Sequence, residues 1–176
     1  SKEGIYIGKG DGKFSFIQPT LTDANGNNFV CRDVVNPSTT YAFNWHHIRC
    51  AATADFNNDG RIDIITAGAK EGHSLLLLND GNDSNGQPKF VASPLNINHY
   101  DDFGELFHED FITPREFNVI AYDINSDGYV DFAYCGTLST ARFNDFCFLD
   151  TDDLFFDVFL NNPEQPGTFT RQYLTW

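Results

Sequence analysis

Asp55-Phe56-Asn57-Asn58-Asp59-Gly60-Arg61-Ile62-Asp63 returns 68 residues later as Asp123-Ile124-Asn125-Ser126-Asp127-Gly128-Tyr129-Val130-Asp131. Five polar or glycine positions coincide within nine residues, and apolar residues coincide between them. Such self-similarity marks a repeated structural unit. Side chains at the first, third, fifth and ninth positions present carboxylate and amide oxygens, and the sixth is the glycine that a sharp turn needs. A hard dication such as calcium takes about six to eight oxygens in a flexible arrangement. The expected ligands in the first loop are Asp55, Asn57, Asp59, the Arg61 carbonyl and Asp63. In the second they are Asp123, Asn125, Asp127, the Tyr129 carbonyl and Asp131. Three carboxylates in each tight loop repel one another, and a cation relieves that repulsion.

The flanking sequence separates this loop from an EF-hand, which shares its first half. An EF-hand needs a glutamate at position 12 and helices on both sides. Position 12 is Thr66 in the first copy and Tyr134 in the second. The flanks, Ile48–Thr53 and Ile62–Ala67, then Phe117–Ala121 and Tyr129–Cys135, are short β-branched and aromatic runs that predict strands. A helix-flanked pair of loops is excluded on the same ground. Tight Asx turns with local hydrogen bonds compete for either loop alone. Repetition in register favours the ion. Magnesium resists dehydration and takes fewer protein ligands, so calcium is expected at two sites.

Further strands follow each loop. Ser74–Leu78 ends in Asn79-Asp80-Gly81, a hairpin signal, and the next strand starts at Lys89-Phe90-Val91. In the second copy Phe155–Leu160 runs into Asn161-Asn162 and a Pro/Gly turn before Thr168-Phe169-Thr170. At the N-terminus Ile5-Tyr6-Ile7-Gly8-Lys9-Gly10-Asp11-Gly12-Lys13-Phe14 reads as strand, Gly-rich turn and strand, the tail half of a further unit. The predicted organisation is a tail half at 1–19, an insertion at 20–47 and a calcium-binding unit at 48–94. An acidic insertion at 95–116, with a short helix near Glu105–Asp110, precedes a second calcium-binding unit at 117–176. The fold class expected is all-β, in antiparallel four-stranded units.

The pattern of Ala54-Asp55-Phe56-Asn57, Asp59-Gly60 and Asp63-Ile64, an apolar strand, Leu77-Leu78-Asn79-Asp80-Gly81 and a later Phe resembles FG-GAP/VCBS repeats. The resemblance covers Ile48 to about Val91, Phe117 to about Tyr173, and the tail piece Ile5 to Phe16. It implies β-propeller blades of the type found in integrin α-subunit heads, incomplete at about two and a half blades. It also implies a structural calcium ion in the loop joining the first two strands of each blade. Propellers close with about four to eight blades. The chain is therefore expected either to belong to a longer one or to assemble with copies of itself, since unpaired edges invite pairing between chains.

Composition limits the partners. The 176 residues, 18 of them Phe, suffice for a packed core. A formal charge of −14 argues against nucleic acid and anionic membranes. No apolar run is long enough to span a bilayer, so no membrane insertion is expected. Cys31, Cys50, Cys135 and Cys147 fit no zinc pattern; disulfides are expected, with Cys31–Cys50 and Cys135–Cys147 the local pairings. Buried thiols are the alternative. His46-His47, the His108-Glu109-Asp110 stretch and the Asp150, Asp152, Asp153 cluster have simpler readings as packing or solvated residues. No nucleophile elbow, P-loop or zincin motif occurs, so no catalytic residue and no enzyme is expected. Asn82-Asp83-Ser84 is the sole glycosylation sequon.

The function expected is a secreted or cell-surface calcium-stabilised module for adhesion, recognition or ligand binding, with a protein or glycan as ligand. The alternative is a structural subunit of a filament or surface assembly, joined chain to chain; an enzyme on a propeller scaffold comes after both.

Overall fold

The computed structural model describes residues 4–32, 40–42, 48–68, 74–95, 111–141 and 153–172. Every regular element among them is a β-strand, so the protein is all-β. The alternating or continuous apolar runs of strand length leave no 3.6-residue periodicity for a helix to use. The expected helix near Glu105–Asp110 lies outside the described residues, as do His46, His47, the His108-Glu109-Asp110 stretch, Cys147, Asp150 and Asp152.

At the N-terminus, β1 (Ile5–Gly8) and β2 (Phe14–Ile17) form an antiparallel hairpin with Ile5 opposite Ile17 and Tyr6 opposite Phe16. The first sheet is built on β6 (Ile48–Ala54), β7 (Asp63–Gly68), β8 (Leu75–Asn82) and β9 (Pro88–Pro94), each antiparallel to its neighbour. The second consists of β10 (Phe111–Tyr122), β11 (Asp131–Ala141), β12 (Asp153–Asn161) and β13 (Phe169–Gln172), in sequence order and antiparallel. A small ribbon joins β4 (Val30–Arg32) to β5 (Thr40–Ala42). None of these sheets closes on itself among the described residues.

Three features depart from the expected units. The segment read as an insertion from residue 20 supplies β3 (Thr20–Thr22), which pairs parallel with β9, Thr20 to Lys89 and Thr22 to Val91. The first sheet therefore has five strands, in the order β3-β9-β8-β7-β6. Asn79-Asp80-Gly81 is no hairpin tip either. β8 runs through it with an irregularity between Asn79 and Asn82, and the chain turns at Asp83–Gln87. There the Asp83 carboxylate accepts the N–H groups of Asn85 and Gln87, a local cap that outcompetes the Asp-Gly dipeptide. Thirdly, β10 begins inside the stretch read as acidic insertion and contains Pro114, paired with Leu138. A proline is tolerated there because β10 is the edge strand of its sheet.

The two sheets share one core. The first contributes Cys50, Ala52, Ala54, Ile65, Ala67, Leu76 and Leu78; the second contributes Val119, Ala121, Phe132, Tyr134, Phe159 and Phe169. Phe132 stacks on Phe159 with ring centres 4.6 Å apart, and Phe169 meets both Phe132 and Phe56 edge-on. The offset of 68 residues shows which faces meet. Ala52, Ala54 and Ile65 correspond in the repeat to Ile120, Tyr122 and Ala133, yet the second sheet offers Val119, Ala121, Phe132 and Tyr134 from its opposite face. The junction is head to tail, one face of the first unit against the other face of the second.

The same rule governs the preceding junction. Leu75, Leu77, Phe90 and Ala92, on the other face of the first sheet, form a second apolar cluster covered by Ile5, Leu21 and Phe29. Between the sheets, the Tyr134 hydroxyl donates to the Thr66 carbonyl at 2.7 Å and the Cys50 thiol to Asn118 Oδ1 at 3.0 Å. Both bonds join residues at equivalent positions of the two units. Arg171 pairs with the buried Asp157 carboxylate at 2.9 Å. Cys31, Cys50 and Cys135 are free thiols, so the expected Cys31–Cys50 bridge is not formed. Burial pushes the Cys31 thiol up to about 11.

Candidate metal centre

Both acidic loops join the first two strands of their sheets and share one core set of hydrogen bonds, to which the second adds a 3.4 Å bond from the Asn125 N–H to Asp131 Oδ2. Asp55 Oδ1 accepts the Asp59 N–H at 3.0 Å and Oδ2 the Gly60 N–H at 2.8 Å. Asp123 accepts the Asp127 and Gly128 N–H groups at 3.0 and 2.9 Å. Asn57 and Asn125 each accept one N–H through Oδ1 and donate through Nδ2 to Asp59 or Asp127. Asp59 Oδ1 takes the Arg61 N–H, and Asp127 Oδ1 the Tyr129 N–H, both at 2.9 Å. The path demands left-handed backbone at two points per loop. Asn58 and Ser126 have φ of 56° and 61°; Gly60 and Gly128 have 83° and 90°. Glycine adopts that conformation at no steric cost, which is why position six is glycine in both copies.

The ninth-position aspartates are fully buried. Asp63 clamps two segments, taking the Phe56 N–H on Oδ2 at 2.9 Å and the Asn79 N–H on Oδ1 at 2.8 Å. Asp131 does the same with Ile124 and Asn161, both at 2.8 Å. Burial pushes the Asp63 carboxyl above its ordinary value; the N–H groups of Asn79 and Phe56 oppose the shift, and the charges of Asp59 and Asp55 add to it.

Asn79, within the third strand of the first unit, and Asn161, at the end of the third strand of the second, complete the loops, and neither was expected as a site residue. Asn79 donates to the Ile62 carbonyl at 3.1 Å. Asn161 donates to the Val130 carbonyl at 2.9 Å and to the Phe56 carbonyl, in the other loop, at 2.8 Å. Its Oδ1 takes the Gly167 N–H at 3.0 Å. A Cβ on Gly167 would lie 3.3 Å from Asn57 Cβ, so the β12–β13 turn touches the first acidic loop. The recurrence of Asn two residues after Leu77 and Phe159 was the one sequence signal for this role.

The donor set of each loop is oxygen throughout: three carboxylates and one amide. A carboxylate oxygen has more than one acceptor site, so the N–H bonds above do not exhaust it. By donor chemistry the loops fit a hard cation. Among the described residues, no three His, Cys, Asp or Glu side chains form a group arranged to hold a metal ion. In this structure the carboxylates are turned onto the loop amides. Loop one also carries its own counter-charge, the Arg61 guanidinium 2.6 Å from Asp59 Oδ2, whereas loop two has Tyr129 at that place.

No protein-family model, curated protein or solved structure matches this chain. Among the described residues no helix is long and apolar enough to cross a membrane.

Proposed function

We propose that this protein is a calcium-stabilised module of FG-GAP/VCBS type, made of β-propeller-like blades, and that it serves adhesion or recognition outside the cell. A protein or glycan is the ligand class. The reading rests on one observation above the rest: the two acidic loops repeat the same set of carboxylate-to-amide hydrogen bonds at a fixed spacing, each with three carboxylates, the ninth-position one buried. The electrostatics give calcium something to do. Burial, with the charges of Asp59 and Asp55 adding to it, disfavours the charged form of Asp63, and a bound dication would oppose that penalty. The ion's part is structural: it supplies positive charge to which Asp55, Asn57, Asp59 and Asp63, or Asp123, Asn125, Asp127 and Asp131, present oxygen. Recognition belongs to the connecting loops, where variable contacts are usually carried.

Calcium should raise the melting temperature, and a chelator should lower it again. Binding to the native state alone, at a hundredfold excess over Kd, adds about 2.7 kcal/mol. Superimposed melting curves with calcium and with chelator would rule the ion out. Magnesium at the same concentration should shift the curve less.

A further inference from the structure

Three apolar residues at the junction between the two sheets have exposed counterparts on the outer face of the second sheet, around Ala133 and Val158, which are buried like their own counterparts Ile65 and Leu76. Phe56 is fully buried, while Ile124, at the same place in the repeat, is 41% exposed. Ala52 and Ala54 lie in the shared core, while their counterparts Ile120 and Tyr122 are 50% and 71% exposed. Phe156, paired with Cys135 on that outer face, is exposed too.

The opposite end of the molecule carries the complementary face. Phe90 is buried beneath the β1–β2 side, yet Phe14, which follows Lys13 as Phe90 follows Lys89, is 69% exposed. Cross-strand pairing puts Phe14 on the same side of the hairpin as Tyr6 and Phe16. Tyr6 is 68% exposed and packs edge-on against Phe16. Ile5 points the other way, into the cluster of Leu75, Leu77, Phe90 and Ala92. Through Ile5 the hairpin's inner face meets the first sheet, with Ile7 beside it on that face 40% exposed, and the outer face stays open.

We propose that the outer face of the second sheet, carried by Ile120, Tyr122, Ile124 and Phe156, docks onto Tyr6, Phe14 and Phe16 of a second copy of this chain. The occupant is a second copy because the face at one end continues the junction already formed twice inside the chain, and the other end bears its complement. The contact is heterologous, so it propagates head to tail rather than closing as a two-fold dimer. None of the docking side chains is itself an expected calcium ligand. Each copy carries −14, so mutual repulsion opposes docking at low ionic strength, and a salt concentration near ~0.15 M favours it.

The test is sedimentation of the wild type, Tyr6→Glu and Tyr122→Glu, each alone and mixed in equal amounts, with circular dichroism to check that both variants fold. Both residues are exposed, so both variants should fold like the parent. The wild type should grow beyond a dimer as concentration rises. Each variant alone should self-associate at least tenfold more weakly. The equal mixture should give a one-to-one dimer and stop there, because each variant retains the face the other lacks. A variant that dimerises alone, or a mixture that stays monomeric where the wild type associates, overturns the proposal. So does a wild type that is monomeric up to about 1 mM, which would assign the face to a further sheet of the same kind instead.

Discussion

Phe56 and Ile124 follow the first aspartate of their loops, and both place their N–H on a buried carboxylate. Their side chains meet different surroundings. Phe56 is enclosed by both sheets and touches the Phe169 ring, with centres 6.0 Å apart; Ile124 faces outward. Phe56→Ala should therefore cost about 3–5 kcal/mol, the usual loss for a buried aromatic. Ile124→Ala should stay within about 0.5 kcal/mol, as for a surface change. Urea unfolding of both variants checks this, and equal losses would show that the shared core is not built around Phe56. The residue types that shape the loops were legible in the sequence, since Asp-x-Asn-x-Asp-Gly has few ways to satisfy its own amides. What Phe56 does was not. Its burial depends on β13, more than a hundred residues away, and no local pattern carries that information.

Among the elements, the four core strands of each unit could be read because β-branched and aromatic runs there are bounded by Asx-Gly turns. The errors fell where partners decide. β3 has only three residues and exists as a strand because β9 offers it a ladder. The first half of β10, with Pro114, Arg115 and Glu116, reads as a loop until its pairing with Pro114↔Leu138 and its neighbours is known. The β12–β13 turn shows how elements of different units are tied. Asn161 bonds three backbone groups: the carbonyls of Phe56 and Val130 and the N–H of Gly167. Asn79, its counterpart, reaches the Ile62 carbonyl and takes the Gly81 N–H, in a more exposed place. A buried polar group left without its partner costs about 1–3 kcal/mol. Asn161→Ala should accordingly lose about 2–4 kcal/mol and Asn79→Ala about 1 kcal/mol. Chemical denaturation decides the matter; losses of the same size for the two would mean that the cross-unit bonds contribute nothing of their own.

At the scale of the whole molecule, two junctions of the same sense run through the chain, from the hairpin to the first sheet and from the first sheet to the second. The repeat was visible in the sequence, whereas the sense of stacking was not, because it depends on which face of each strand meets its neighbour. The parallel β3–β9 pair adds a mechanical property. Antiparallel neighbours pulled from adjacent ends peel apart one bond at a time. A parallel pair pulled at the start of one strand and the end of the other is loaded in shear, so all of its rungs resist together. Tension entering ahead of Thr20 and leaving after Pro94 crosses the Thr20–Lys89, Leu21–Phe90 and Thr22–Val91 rungs in that way. Stretched between its ends on a force probe, the chain should release the β1–β3 segment only at a distinct force peak. Replacing Thr22 by proline, which deletes an N–H on the β9 side of β3, since the Leu21 carbonyl next to it faces the Phe29 N–H, should lower that peak while the second sheet unfolds as before. A parallel strand of three residues thus acts as a clasp, holding the front of the molecule closed along the line in which an anchored chain is pulled.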